Sequence, residues 1–503
     1  MAITPGPSLN SVPSPNRQTL SSNYLDLSTA ANAGWGQQYV PDLMEKEAEV
    51  FGPRTISGFL SQVGAEEAMT ADQVVWSEQG RLHLSYTGTV VAGGGANAGT
   101  GATSVITLTQ DIDGNGIPTA GHGIRVNDMI IVSDTVNGIV KCLVTGVPST
   151  TTLEVLPYDA GAANLTAQGT ANATTVLVYG SEFGKGDRYP DGGVATTDSD
   201  SRGANEPAFT TFTNKPIIMR DYYEVSGSDV SKIGWVEVTS EGGASGYLWY
   251  LKAESDTRAR FSDYIEMAML ESERNDTASL IDGTNNLAGT VATDPVGTEG
   301  LFAAIESRGN MSSGITGITP STDLLEFDAI LAEFDAQGAI EENMMFLNRT
   351  TSLAVDDMLA AMNSYGAGGT SFGVFNNSED MALNLGFSGF RRGSYDFYKS
   401  DFRYLNDKAT RGGINTASAA NAIRGIFVPA GTSTVYDQML GKNLKRPFLH
   451  VRYRASQTDD RRMKTWTTGS VGAATSALDA MQIHMLTERC LITQGANNFM
   501  LLK

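Results

Sequence analysis

Apolar positions change their period several times along this chain. Around residues 81–86 they alternate: Leu82, Leu84 and Tyr86 are separated by Arg81, His83 and Ser85, as in a half-buried strand with His83 on its polar face. From 104 to 180 come short β-branched runs, SVITLT, MIIVSD, IVKCLVTGV, TTLEVLPY and TTVLVYG, divided by turn residues. They predict a small all-β module, a barrel or a sandwich. FTTFTNKPIIMRDYYEVSGSDV, Phe209 to Val230, is strand-like again. The period then becomes helical. Between Gly246 and Asn275, Tyr250, Phe261, Ile265, Ala268 and Met269 recur near helical spacing among charges. Roughly 27–30 residues rising 1.5 Å each would reach ~40–45 Å, the length of a structural spine.

Further on, STDLLEFDAILAEFDAQG predicts a helix capped by Ser321 or Thr322, and TSLAVDDMLAAMNSYG one capped by Thr351 or Ser352, with Gly366 past its end. MMFLNRT reads as a buried strand, and RGIFVPAG as a strand stopping at Pro429. The closing block, from about 441, contains LHVRYRA, an apolar helix SALDAMQIHML and strand-like NNFMLL. At the other end, residues 1–36 are rich in Ser, Pro, Asn and Gly and read as a disordered arm. Tyr39 to Leu60 predicts a helix broken at Gly52-Pro53.

The chain has 503 residues, enough for about three domains at ~150 each. The two glycine-rich stretches, Ala92 to Ser104 and the run after Gly180, bracket the β module like the loose ends of an inserted domain. Neither is a phosphate loop. The first leads into a strand, and in GSEFGKGD Gly186 replaces the Ser/Thr that such a loop needs. Net charge is −21, so the chain repels free nucleic acid unless its cations gather on one face. Two cysteines, Cys142 and Cys490, exclude a disulfide framework. The N-terminus has neither the basic nor the apolar region of a signal peptide, and no apolar run is long enough to predict a transmembrane helix.

One stretch invites a metal. DIDGNG offers oxygens from Asp111, Asp113 and Asn115 at positions one, three and five, with glycine at six, as a calcium loop does. Position twelve would be His122 instead of Glu, and Pro118, Gly121 and Gly123 forbid an exiting helix. A tight turn inside the β module is the stronger expectation. Elsewhere nothing converges on catalysis. His83, His122, His450 and His484 lack metal-ligand spacing, and no nucleophile elbow is present. Carboxylate pairs such as Asp356-Asp357 and Asp459-Asp460 read as solvated surface, although a two-carboxylate glycosidase needs no motif. No cofactor is expected. The basic clusters KNLKRP, Lys442 to Pro447, and RRMK, 461–464, are candidates to face nucleic acid or an acidic neighbouring subunit.

The order of parts resembles the major capsid protein of tailed bacteriophages, the Hong Kong 97 type of fold, with a layout suggesting a crAss-like lineage. VVWSEQGRLHLSYTG going out, TNKPIIMRDYYEVSGSDVS coming back, GYLWYLKAESDTRARFSDYIEMAML as spine and MMFLNRTTSLAVDDML carry the likeness. The resemblance implies an α+β chain with an N-terminal arm at 1–45 and a peripheral-domain helix with outgoing E-loop at 46–92. It implies an inserted β domain at 93–205, a returning E-loop at 206–244 and a spine helix at 245–275. An axial domain would follow at 276–440, then the closing part of the peripheral domain at 441–503. It also implies a non-enzymatic structural protein made in the bacterial cytoplasm and assembled as pentamers and hexamers around packaged double-stranded DNA. Scaffold, portal and decoration proteins would be its partners, without sequence-specific DNA contacts and without a membrane. The family's cross-linking Lys and Asn are not carried over, because the insert replaces the loop tip. The short Pro/Ser-rich N-terminus points to a separate scaffold. The competing readings are a β-rich virion surface, tail or adhesin-like protein with a calcium site, and a carbohydrate-active hydrolase.

Overall fold

The structure is a computed structural model. It describes residues 65–91, 104–134, 138–158, 165, 174–185, 209–230, 237–239, 245–275, 295, 297–363, 389–415, 422–437, 442–471 and 474–503, except 82, 120 and 431. The expected arm and the helix over 39–60 lie outside these residues, as does Gly366. The chain divides into two compact units. One is Ser77–Phe212; the other joins the residues up to Trp76 to Thr213–Lys503.

Two strands come first, β1 (Ala65–Met69) and β2 (Val74–Gln79). Six more follow: β3 (Ser85–Val91), β4 (Ser104–Asp111), β5 (Asp128–Asp134), β6 (Gly138–Ser149), β7 (Thr152–Pro157) and β8 (Thr174–Ser181). They close into a barrel in the order β3-β4-β7-β6-β5-β8. Alternation along each strand sends one row inward. Ile106, Ile130, Val132, Val144, Leu153, Val155 and Val176 all reach 0% exposure, so side chains fill the interior. The alternation over 81–86 is not one strand. β2 ends at Gln79, residues 83 and 84 lie in the connection, and β3 begins at Ser85 with Tyr86 turned inward. The stretch expected to run along an outgoing arm therefore supplies a barrel stave. Without β3, the edges of β4 and β8 would stay unpaired. At Gly88 the β3–β4 register slips, and a Cβ there would lie 2.3 Å from the Thr107 carbonyl oxygen, so only glycine fits.

The chain returns through β9 (Phe209–Asn214), which pairs with β2, and β10 (Ile217–Ser226). The hairpin of β11 (Glu237–Thr239) and β12 (Ser245–Tyr247) leads into the long helix α1 (Leu248–Glu271). Its 24 residues span about 36 Å, shorter than expected because Gly246 and Tyr247 belong to β12. Next come α2 (Leu301–Arg308), β13 (Asn310–Ser312), α3 (Pro320–Gln337), β14 (Glu342–Leu347), α4 (Arg349–Asn363), β15 (Gly389–Arg392) and β16 (Tyr395–Asp401). The last strands are β17 (Gly425–Pro429), β18 (Thr432–Asp437), β19 (Lys442–Pro447), β20 (Leu449–Arg454), β21 (Lys464–Gly469), β22 (Ala480–Thr493) and β23 (Met500–Leu502).

Two sheets organise this larger unit. In the first, β22 lies between β10 on one side and β20 with β21 on the other, and β1 adds in parallel beyond β20. SALDAMQIHML is thus not a helix. Its apolar residues form the start of β22, where Ile483, Met485 and Leu486 are buried because the strand is central, paired on both sides and covered by α1 on one face. One face carries α1: Phe261 and Ile265 pack on Met485, with Met219 and Met463 beside them. The far end of α1 is tied down at Glu271, which accepts from the Tyr404 hydroxyl at 2.7 Å and the Arg411 guanidinium at 2.8 Å.

The second sheet runs β13-β23-β17-β14-β16-β15. α3 and α4 cover it over a core in which Phe327, Phe390 and Phe427 ring Phe397 at 5.2, 5.3 and 6.0 Å between centroids. The caps differ by a few residues from those expected. Thr319 caps α3, accepting from the Thr322 amide at 3.3 Å, with Pro320 in the first turn. Asn348 caps α4 by accepting from the Thr351 amide at 2.8 Å, which leaves Thr351 and Ser352 buried inside the helix. Between β13 and α3, Ile315 holds a left-handed φ of 59°, costly for a β-branched residue. Arg424 fixes that turn by donating to the carbonyls of Ile315, Ser313 and Gly314 at 2.6, 2.7 and 2.8 Å.

Candidate assembly surfaces

Strand β1 adds to the sheet edge through an alternation of charge. Glu66 and Glu67 are neighbours, so their side chains leave opposite faces of the sheet. On one face Glu66 pairs with Arg489 at 3.2 Å and with Arg462. On the other, Glu67 pairs with Arg452 at 3.1 Å. Beyond them Arg454 reaches Asp72 and its Nε lies 2.7 Å from the Glu488 carboxylate; Arg461 Nε lies 3.1 Å from the same carboxylate, an ion pair without hydrogen-bond geometry. Glu488 is 4% exposed, so its charge is tolerable only because two guanidinium groups meet it. Burial lowers the basicity of Arg489, and Glu66 opposes that effect. The first described strand is thereby stapled to β20 and β22 from both sides.

This arrangement changes the role of the basic clusters. Arg461 and Arg462 of RRMK turn to opposite faces and pair with Glu488 and Glu66, and Lys464 pairs with Asp459 at 2.6 Å. Within the chain they are paired to carboxylates, while Arg462 and Lys464 stay 53% and 42% exposed. KNLKRP is β19, which pairs with β18 as a two-stranded ribbon. Sequence reasoning missed Glu66, Glu67, Glu488, Arg452 and Arg454, since strand register alone brings them together.

The face of the first sheet opposite α1 carries a ladder across three strands. His484 of β22 stacks on Trp466 of β21 at 5.1 Å and on Tyr222 of β10 at 6.0 Å, and Arg220 lies 6.0 Å over the Trp466 ring. His484 Nε2 is hydrogen-bonded to the Thr468 hydroxyl at 2.7 Å. Ile218 and Tyr222 on this face are 55% and 57% exposed, which makes it a surface suited to contact.

The remaining candidates are scattered. Asp111 ends β4, and its carboxylate turns back to accept from the Asn115 amide at 2.7 Å and the Asn115 side chain at 3.1 Å. Asp113 faces Arg81 at 3.0 Å instead, and Gly114 holds φ 86°. The structure brings Asp111 and Asn115 together, while Asp113 points elsewhere, as in a hydrogen-bonded turn. Among the described residues no group of three or more His, Cys, Asp or Glu could hold a metal. His83 lies before β3, His122 packs edge-on to Tyr86 in the barrel, His450 is buried in β20 and His484 belongs to the ladder. Burial lowers the His122 pKa. It pushes both thiols, Cys142 and Cys490, up to about 12, so they are packed and unreactive.

No protein-family model matches the sequence, and no curated protein does. Among solved structures, the chain is similar to one from Microbacterium phage Oxtober96, with 10% identity and a TM-score of 0.36 over 95% of this chain and 99% of that one. It is similar to the capsid of a native GTA particle computed with C5 symmetry, with 11% identity and a TM-score of 0.39 over 95% and 99%. A structure from Mycobacterium phage Ogopogo has 10% identity and a TM-score of 0.30 over 62% of this chain and 83% of that one. With so few residues shared, the function proposed below rests on this chain's own elements. No described helix is long and apolar enough to cross a membrane.

Proposed function

We propose that this chain is the major capsid protein of a tailed bacteriophage, of the Hong Kong 97 type and crAss-like lineage, which self-assembles into the icosahedral shell around the packaged genome. One observation carries the reading. The chain leaves the larger unit after Trp76, completes a closed barrel, returns at Thr213, and only then lays a 24-residue helix along the sheet. That order matches the E-loop, inserted domain and spine of the family. In this reading β2 and β9 are the paired stem of the E-loop, and the barrel of β3 to β8 is its insert. The first sheet with α1 is the peripheral domain, and the second sheet with α3 and α4 is the axial domain. The protein acts as a structural element without an active site.

The electrostatics fit this role. Arg452, Arg454, Arg461, Arg462 and Arg489 are paired to carboxylates of their own chain, and the chain carries a net charge of −21. A shell with such subunits encloses DNA without holding it by base contacts. Copies of the chain in pentamers and hexamers, a scaffold and a portal are the partners this assembly calls for, and decoration proteins are an optional addition. Negative-stain microscopy and native mass of the chain, expressed alone and with its genomic neighbours, test the proposal. Shells, tubes or five- and six-membered rings are expected. Monomers under every condition would overturn it.

A further inference from the structure

The turn that follows β4 holds a reactive pair of residues that neither the barrel core nor the shell reading uses. Asn-Gly occurs at 115–116 and at 137–138. Asn137 lies outside the described residues, whereas Asn115 and Gly116 are both described and both exposed. Within the turn the Asp111 N–H donates to the Asn115 carbonyl at 2.8 Å, but the Gly116 N–H has no hydrogen-bond partner among the described residues. A Cβ built at Gly116 would meet nothing within 4 Å, so water and base reach that nitrogen freely. The Asn115 amide is held at one end: Nδ2 donates to Asp111 Oδ2 at 3.1 Å, and Oδ1 meets no described donor. Other asparagines are held at both ends. Asn214 donates to the Leu491 carbonyl at 2.6 Å and accepts from the Lys215 amide at 2.8 Å; Asn415 donates to and accepts from Ile423 at 2.7 and 3.1 Å.

We propose that Asn115-Gly116 is a site of spontaneous covalent modification, at which the side-chain amide is lost through a succinimide. Base removes the Gly116 amide proton, and that nitrogen bonds to Asn115 Cγ. The Cγ–Nδ2 bond then breaks, and Nδ2 takes up a proton from water and leaves as ammonia. Water adds to either carbonyl of the five-membered ring and opens it. One opening gives aspartate; the other gives isoaspartate, in which the main chain runs through the former side chain. One water enters and one ammonia departs, so no enzyme, oxidant or cofactor is needed. Glycine makes the step accessible, because a side chain at 116 would shield the attacking nitrogen and narrow the φ/ψ range that lets the ring close.

The product changes the turn. A carboxylate at 115 stands where Nδ2 now donates to Asp111, so the 3.1 Å hydrogen bond becomes a contact between like charges. Asp113 is a third carboxylate within the same five residues, and Arg81 is the cation that faces it. Isoaspartate also lengthens the backbone inside the bridge that joins Gln110 to Gly116. The turn therefore opens as the chain ages, while the barrel strands on either side keep their pairings.

Peptide mapping by mass spectrometry tests it on the full folded chain, aged at mildly alkaline pH in heavy-oxygen water. The peptide holding Asn115 is expected to gain one heavy oxygen and lose one amide nitrogen, in a fraction at least five-fold above that at Asn214 or Asn415. Gly116 has no positive φ and has room for a methyl group, so Gly116→Ala keeps the turn and is expected to slow conversion at least ten-fold. Asn115→Asp supplies one product directly, and faster amide hydrogen exchange over 111–116 is expected in that variant. Conversion at Asn115 no higher than at Asn214 and Asn415 would overturn the proposal, and so would an unchanged rate in Gly116→Ala. If the alanine variant misfolds, the parent chain still decides: conversion seen only after unfolding in denaturant also overturns it.

Discussion

Glu488→Gln isolates the staple that holds β1. The substitution keeps the volume and removes the charge. The native carboxylate is 4% exposed and meets Arg454 Nε at 2.7 Å and Arg461 Nε at 3.1 Å. Removing one partner of a buried ion pair costs about 3–5 kcal/mol, because the remaining charge stays desolvated. Arg454 keeps Asp72, and Arg461 is partly exposed, so the low end applies, about 3 kcal/mol. That is a factor of over 100 in the local equilibrium. With a urea m-value of about 3 kcal/mol/M, the midpoint of the larger unit falls by about 1 M. Limited proteolysis gives the local readout, since cleavage between Ala65 and Asp72 is expected to accelerate as β1 leaves the edge. The triple variant Glu488→Met, Arg454→Met, Arg461→Met, which removes all three charges, is expected to recover most of the loss. An unchanged midpoint together with unchanged cleavage at 65–72 in Glu488→Gln would refute the reasoning.

Other substitutions address each unit separately. Phe397→Ala opens a cavity among Phe327, Phe390 and Phe427 and is expected to cost about 3–5 kcal/mol, read as a lowered calorimetric transition of the larger unit. Gly88→Ala drives a Cβ against the Thr107 carbonyl; about 1–3 kcal/mol of overpacking is expected, confined to the barrel transition. Alkaline pH acts through the thiols. Cys142 and Cys490 are raised from 9.0 to about 12 in the folded chain, so the unfolded chain loses these protons first. Their contribution is complete below pH 9 and is lost as pH rises toward 12. Cys142→Ala and Cys490→Ala are therefore expected to flatten the fall in stability over that window, in pH-dependent urea melts.

The parts of the fold legible in the sequence were those with a strong local period. Five barrel strands show β-branched runs, and α1 shows its charge-and-apolar repeat. The sixth stave was hidden because the apolar alternation in the sequence runs on between the end of β2 and the start of β3, and only barrel closure reveals where the strand begins. β22 was misread because Ala, Met and Leu favour helices in isolation, whereas its central place in the sheet decides otherwise. The charge staple had no local signal beyond Arg452 and Arg454 alternating, since its carboxylates lie near residues 66 and 488. The turn at Asp111 to Asn115 was legible because its hydrogen bonds are made within five residues.

The closure of the barrel also bears on how such a protein changes over generations. A closed ring of strands has no free edge, and the chain enters it after β2 and leaves it before β9, which pair with each other. The module is therefore a cassette. Joining the end of β2 to the start of β9 by a tight turn would leave a plain hairpin and all of the larger unit's sheet pairings. A lineage built on this scaffold can acquire, exchange or discard its outer equipment without redesigning the frame that carries it.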